Sequence, residues 1–221
     1  MVVSVTTAQS RRVDYSESTR QALVDSAVAL FTQQGYSATS LDAIAKRARV
    51  TKGALYHHFS GKQALFEAVF DAVENSVMGR LGEVVTGPGS AWDRAMSGVQ
   101  AYLKACLEPS YQRIVIHEAP VVMGWERWRE AEEHFSYGLV RAALEALIEA
   151  GEIDDLPLEV TARVVFGALS TGATIIAGAA DPKKAGAEVS VTITRVLEGM
   201  RKRTEEERPD APAAPVRSLR R

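Results

Sequence analysis

Eight prolines (Pro88, Pro109, Pro120, Pro157, Pro182, Pro209, Pro212 and Pro215) divide the chain into segments whose apolar residues recur every three or four positions and almost never alternate. Proline interrupts helix interiors and sheet ladders alike. The runs between the prolines carry a helical period, so the chain reads as all-α. Ser18 and Gln21 form an S-x-x-Q capping signature, with Ser16 as a competing cap. Leu23, Ala27, Leu30 and Phe31 then make one stripe that stops at Gly35. Thr39 or Ser40 caps a short second helix with Leu41, Ile44, Ala45 and Ala48 on one face. Thr51 caps a third helix ending near Phe59, and Ser60 with Gln63 repeats the signature and opens a fourth with Leu65, Phe66, Val69 and Val73 inward. Beyond the break TGPGS (86–90), the spacing predicts longer helices near 91–107, 110–119, 125–150, 158–180 and 183–204. This divides the chain into a flexible arm (1–14), a three-helix head (15–61) and a helical body (62–204) whose first helix, 62–81, is the link. The proline-rich tail (205–221) is expected to be disordered.

With 221 residues, 46% of them hydrophobic and 24% charged, a chain of this kind can bury a substantial core. Its apolar runs are short, so no membrane-spanning segment is expected, and MVVSVTTAQSRR lacks the order of a signal peptide. The single cysteine, Cys106, forms neither an internal disulfide nor a zinc site alone, which fits a cytoplasmic protein. The net charge of −2 is uneven: residues 1–62 hold eight Lys or Arg against four acids, and the remainder is acidic. A basic head on an acidic body suggests a polyanion partner for the head alone.

The stretch VTKGALYHHF (50–59) invites two readings. Adjacent histidines suggest a metal, but on a helix His57 and His58 point about 100 degrees apart. Two helical ligands want i, i+4 spacing, and the other histidines, His117 and His134, lack Cys or spaced acidic partners. No metal or cofactor is expected. The better reading is a surface. Leu55 and Phe59 define a buried side, Gly53, Tyr56 and His57 share the opposite one, and Ala54 and His58 flank it. Two short capped helices joined by a tight turn describe a helix-turn-helix.

The residues from Leu23 to Leu65 resemble the DNA-binding domain of the tetracycline-repressor (TetR) family of bacterial regulators. The resemblance rests on A-x-x-L-F (27–31), G-Y-x-A-T-S-L-D-A-I-A (35–45), T-K-G-A-L-Y-H-H-F (51–59) and K-x-A-L (62–65). Two positions depart from it: Arg49 stands where glycine is common in the interhelical turn, and Gly61 where Ser or Asn is common. The resemblance implies a homodimer that places each third helix in the major groove of a palindromic operator. It makes Ser40, Thr51, Lys52, Gly53, Tyr56, His57, His58 and Lys62 the contact candidates. Ser40 has a purely capping alternative, and His58 one of packing beside Phe59.

It also implies that the body holds a small apolar or amphipathic effector and the dimer contact, which makes the protein a ligand-responsive repressor. Val164, Ala168, Thr171, Val189, Ile193, Val196, Leu197 and Met200 are the interface candidates, with Gly167, Gly172 and Gly178 allowing close approach. The alternative is that these stripes form only the monomer core. Trp92, Tyr102, His117, Met123, Trp125, Trp128, Phe135, Tyr137 and Phe166 are the pocket candidates, each with an ordinary core role as its alternative. An all-helical enzyme would need a nucleophile–base pair, paired carboxylates or a metal set, and no such constellation is recognisable. A sequence-nonspecific protein that compacts DNA would be basic throughout, which this chain is not; the alternative is an all-helical DNA-binding protein without an inducer, constitutive or architectural.

Overall fold

The computed structural model describes residues 3–202, with side chains from residue 15 onward, so the expected disordered tail lies outside the described residues. Among those residues all the regular elements are helical, joined by turns, with one isolated antiparallel bridge, Ile153 with Arg201. Helix α1 (Val3–Gln34) starts well before Ser16 and Ser18, so neither serine is its cap and the expected flexible arm is helical from Val3. A capping signature inside a helix is no stop signal. Thr19 Oγ1 simply donates to the Tyr15 carbonyl one turn back (2.9 Å).

The head closes on α1. Helix α2 (Leu41–Arg47) buries Ile44 and Ala45, and α3 (Lys52–His58) buries Leu55, with Phe59 just beyond it. They meet Leu23, Ala27 and Phe31 of α1 in one core. Of the two caps proposed for α2, Ser40 is the one: its Oγ accepts from the Ala43 amide at 3.1 Å. Thr39 is buried and donates to the Gly35 carbonyl (2.8 Å).

The turn after α2 is a Schellman motif. Val50 N–H donates to the Ala45 carbonyl (3.0 Å) and Arg49 N–H to that of Lys46 (3.2 Å). Arg49 supplies the left-handed residue with φ 58, the one non-glycine positive φ among the described residues. A side chain there costs about 1 kcal/mol relative to glycine. Arg49→Gly is therefore expected to raise Tm by about 2–4 °C, and the β-branched Arg49→Val to lower it. A thermal melt showing no gain for glycine would mean the turn carries no strain.

Helix α4 (Lys62–Val85) follows a Gly61 N-cap that lacks any side-chain bond, so Ser60 does not open it, and it runs four residues past the expected end. Its 24 residues make a rod of about 36 Å. Leu65 and Phe66 lie in the head core, and Val77 and Leu81 in the body. Helix α5 (Ala91–Ala105) has a full Ser90–Asp93 capping box. Its first turn is also held from outside: Glu152 accepts from the amides of Ala91 (3.2 Å) and Trp92 (2.8 Å).

The expected helix at 110–119 is a wide π-helical segment, Tyr111–Glu118, that runs into α6 (Ala119–Val122). The long helix expected at 125–150 is α7 (Trp125–Glu132), a π turn (Glu133–Tyr137) and α8 (Gly138–Glu149) in direct succession. Helices α9 (Leu158–Gly178) and α10 (Pro182–Glu198) complete the body, with Asp181 capping α10 through the Lys184 amide (3.1 Å). By length and composition alone, α9 is apolar enough to cross a membrane. Its inner face, with Ala162, Val165, Leu169 and Ile176, is core, and its outer face is apolar as well.

Candidate nucleic-acid interface and the cavity behind it

The geometry of α3 follows the expected wheel. Leu55 and Phe59 face in, Thr51, Lys52, Gly53, Tyr56 and His57 are exposed, and Ala54 and His58 are half-buried. Thr51 Oγ1 accepts from the Ala54 amide (3.2 Å), which leaves its hydroxyl proton free to donate outward. The His57 and His58 rings sit 5.3 Å apart at 70°, and His58 lies 6.5 Å from the Phe59 ring.

The two lysines are held locally. Lys52 Nζ lies 2.8 Å from Asp42 Oδ1 across the α2–α3 turn, and this hydrogen-bonded ion pair raises the ammonium pKa and keeps it cationic. Both partners are exposed, so the pair is weak and exchangeable. Lys62 Nζ sits 4.4 Å over the Tyr36 ring and 3.3 Å from the Ser37 carbonyl oxygen. Those contacts aim Lys62 along the entrance to α2 and leave part of its donor capacity. Tyr36 also ties head to body: its amide donates to both Glu118 carboxylate oxygens (2.9 and 2.8 Å), and Arg113 Nε approaches the same carboxylate at 3.1 Å.

Behind the head, α4, α5, α8, α9 and α10 enclose an apolar cavity of about 90 Å³. Of the expected pocket residues, Trp92, Tyr102 and Phe166 line it. The other pocket candidates do not line it. His117 is exposed and its Nε2 meets the Ala177 carbonyl at 3.1 Å. Trp125 lies on the surface, its ring tilted at 45° against that of buried Trp128 at 4.8 Å. Phe135 packs against Phe70 (6.2 Å), Tyr137 donates to Glu159 (2.7 Å), and Met123 fills the α6–α7 corner of the core. The walls that sequence reasoning missed are Met78, Met96, Leu139, Leu144, Leu169 and Met200. Such aliphatic residues at helical spacing are indistinguishable from ordinary core.

The interface candidates also separate. Val164, Ala168, Thr171 and Val196 are exposed, beside Val160 and Ile175, along a groove of about 640 Å³ between α9 and α10. Val189, Ile193 and Leu197 are instead buried within the chain, and Met200 is half-buried. They seat α10 against α9 and, with Val196, also line the groove. Gly172 makes that seam possible, since a Cβ there would lie 2.8 Å from Val189 Cγ1. Within this chain Gly167 and Gly178 face open space, Gly167 along the groove.

Residues 23–69 match the family model described as bacterial regulatory proteins, tetR family, and residues 92–200 match the tetracyclin repressor-like C-terminal domain. The chain is similar to the transposon Tn10 TetC protein of Escherichia coli, with 30% identity over 151 residues, 68% of this chain and 76% of that protein. It is similar to the HTH-type transcriptional regulator AcrR of Shigella flexneri over a shorter region, with 47% identity across 62 residues, 28% of this chain and 29% of that one. A crystal structure of a TetR-family transcriptional regulator from Pectobacterium atrosepticum superposes with a TM-score of 0.77 at 28% identity, covering 86% of this chain and 97% of that one.

Proposed function

The chain belongs to the TetR family of transcriptional regulators, which are DNA-binding proteins and not enzymes, and on that premise we propose that it is a homodimeric, effector-released repressor. The observation that carries this reading is the outer face of α3. Thr51, Lys52, Gly53, Tyr56 and His57 form an exposed set on a short helix whose other side is locked into the head. In this reading Lys52 exchanges its Asp42 partner for a phosphate, and Thr51, Ser40 and Tyr56 donate hydroxyl protons to the backbone. His57 reaches a base edge or phosphate, while Lys62 adds charge beside α2. His58, half-buried against Phe59, is a lesser contact.

The exposed apolar stripe of α9 with Val196 of α10 supports a dimer in which two helices from each subunit pack together. A helix apolar on both faces is suited to burial on both. The cavity supports a small effector with a largely apolar body. Its walls include Met78, Leu81 and Val85 of α4, the same rod whose first turns hold the head, so filling it is mechanically linked to head position. Effector binding then favours a state whose reading helices no longer match grooves about 34–36 Å apart. The working compartment of such a regulator is the cytoplasm.

Lys52→Ala tests the assignment. Binding to every DNA sequence should weaken, and the slope of log affinity against log salt should fall by about one, as for one lost phosphate contact. Because Lys52 is exposed, the melting temperature should barely move. Unchanged operator affinity in a salt titration would remove α3's first turn from the interface.

A further inference from the structure

One turn beyond the cavity wall lies a group of acids with no basic partner. Glu74 of α4 has no exposed surface, and neither of its carboxylate oxygens has a hydrogen-bond partner. Glu132 of α7 is also buried, and one turn before it on the same face is buried Trp128, whose indole Nε1–H is equally unpartnered. Burial, and then the charge of Glu132 with a smaller effect from Asp71, pushes the Glu74 carboxyl up to about 8; the Tyr111 hydroxyl opposes this from nearby, without the geometry of a formed hydrogen bond. Burial alone pushes Glu132 up to about 7. The nearby Tyr102, Cys106 and Tyr111 are likewise raised, chiefly by burial, and stay neutral.

These acids adjoin the cavity without lining it. Met78 is four residues on from Glu74, and Ser136 four on from Glu132. Ser136 Oγ and Met78 Sδ meet at 3.8 Å, and both line the cavity. That contact joins the π turn to α4, Glu74 lies about one turn of α4 back from Met78, and the charge of Glu132 acts on Glu74. Tyr102 bridges the two regions: it lines the cavity and feels the charges of both glutamates. Two carboxylates with no third ligand are too few for a hard divalent cation, and no group of three or more His, Cys, Asp or Glu gathers among the described residues.

We infer that the cavity and the Glu74–Glu132 pair form one amphipathic effector site that takes a small organic ammonium. The apolar tail occupies the space beside Trp92, Met96 and Phe166, and the ammonium N–H groups satisfy the buried carboxylates. This deepens the effector reading above and rests on it. Uptake of the cation expels the proton that the pair holds near neutral pH. The three cavity methionines, Met78, Met96 and Met200, give way to a tail larger than the cavity itself.

The test is isothermal titration calorimetry of the full chain at pH 7.5 with n-hexylammonium, n-hexanol and n-hexanoate, which share a tail and differ in head. Hexylammonium should bind at least tenfold tighter than hexanol and hexanoate at least tenfold weaker. Repeating the titration in two buffers of different ionisation enthalpy should show a proton released with the ammonium only. Glu74→Gln and Glu132→Gln should each cost hexylammonium at least tenfold and leave hexanol within twofold, the hexanol result serving as control for an intact cavity. Equal binding of ammonium and alcohol, or variants without effect on the ammonium, would overturn the acidic site and leave the apolar effector reading standing. If none of the three binds, this inference and the cavity's effector role both fall.

Discussion

Gly53→Glu is expected to reduce operator affinity at least a hundredfold while the protein melts no lower than the unmodified chain. A Cβ at this position would have only Thr51 Oγ1 near it, at 3.9 Å, so the fold has room for a side chain there. Leaving glycine inside a helix costs about 0.5–1 kcal/mol relative to a better helix former. An acid in the first turn also suits the helix dipole. Internal energetics therefore favour the substitution. What opposes it is external: the side chain holds the α3 backbone away from the duplex, and its carboxylate faces phosphates. Gly53→Ala isolates the steric part and should cost roughly tenfold. Gel-shift titrations beside thermal melts measure both quantities, and wild-type affinity in the glutamate variant would place the DNA on another face.

A second large effect is expected with pH. Tm should fall as the pH rises from 5 to 8, on the order of 10 °C, and Glu74→Gln should remove a large part of that fall. In the unfolded chain both carboxyls ionise near their ordinary value of 4.5, whereas in the folded chain Glu132 holds its proton to about 7 and Glu74 to about 8. Between those limits the folded state binds more protons, so rising pH favours unfolding, and the loss is complete above the folded value for Glu74. The Arg141 and Tyr137 hydrogen bonds that lower the Glu159 pKa act in the opposite direction, but that group titrates below this window. Calorimetric scans showing a flat or rising Tm across pH 5–8 would contradict the burial of an uncompensated acid pair.

What could be read from sequence divides by the range of the forces involved. The head was legible because its determinants are local. Ser40 and Thr51 cap amides three residues on, and the face of α3 follows from helical period alone. Arg49, standing where glycine is common in the interhelical turn, adopts φ 58. Helix starts were less legible, because Ser18–Gln21 and Ser60–Gln63 satisfy a capping pattern without being helix ends. The chain enters α4 through extended Gly61 instead. The cavity was mostly illegible: aromatic residues drew attention, while its walls are mainly aliphatic side chains and methionines brought together by tertiary packing. Glu74 did carry a signal. It lies four residues from Phe70 and from Met78, on the inward stripe of α4, where a carboxylate breaks the pattern.

The most direct test of sequence-specific DNA reading by α3 is selection of bound fragments from a random-sequence duplex pool, with the unmodified chain and Gly53→Glu in parallel. The unmodified chain should enrich one inverted repeat, its half-sites separated by a whole number of helical turns of about 10 bp, and the variant should enrich nothing. Absence of any enriched sequence with the unmodified chain, or the same enrichment with both proteins, would contradict the account.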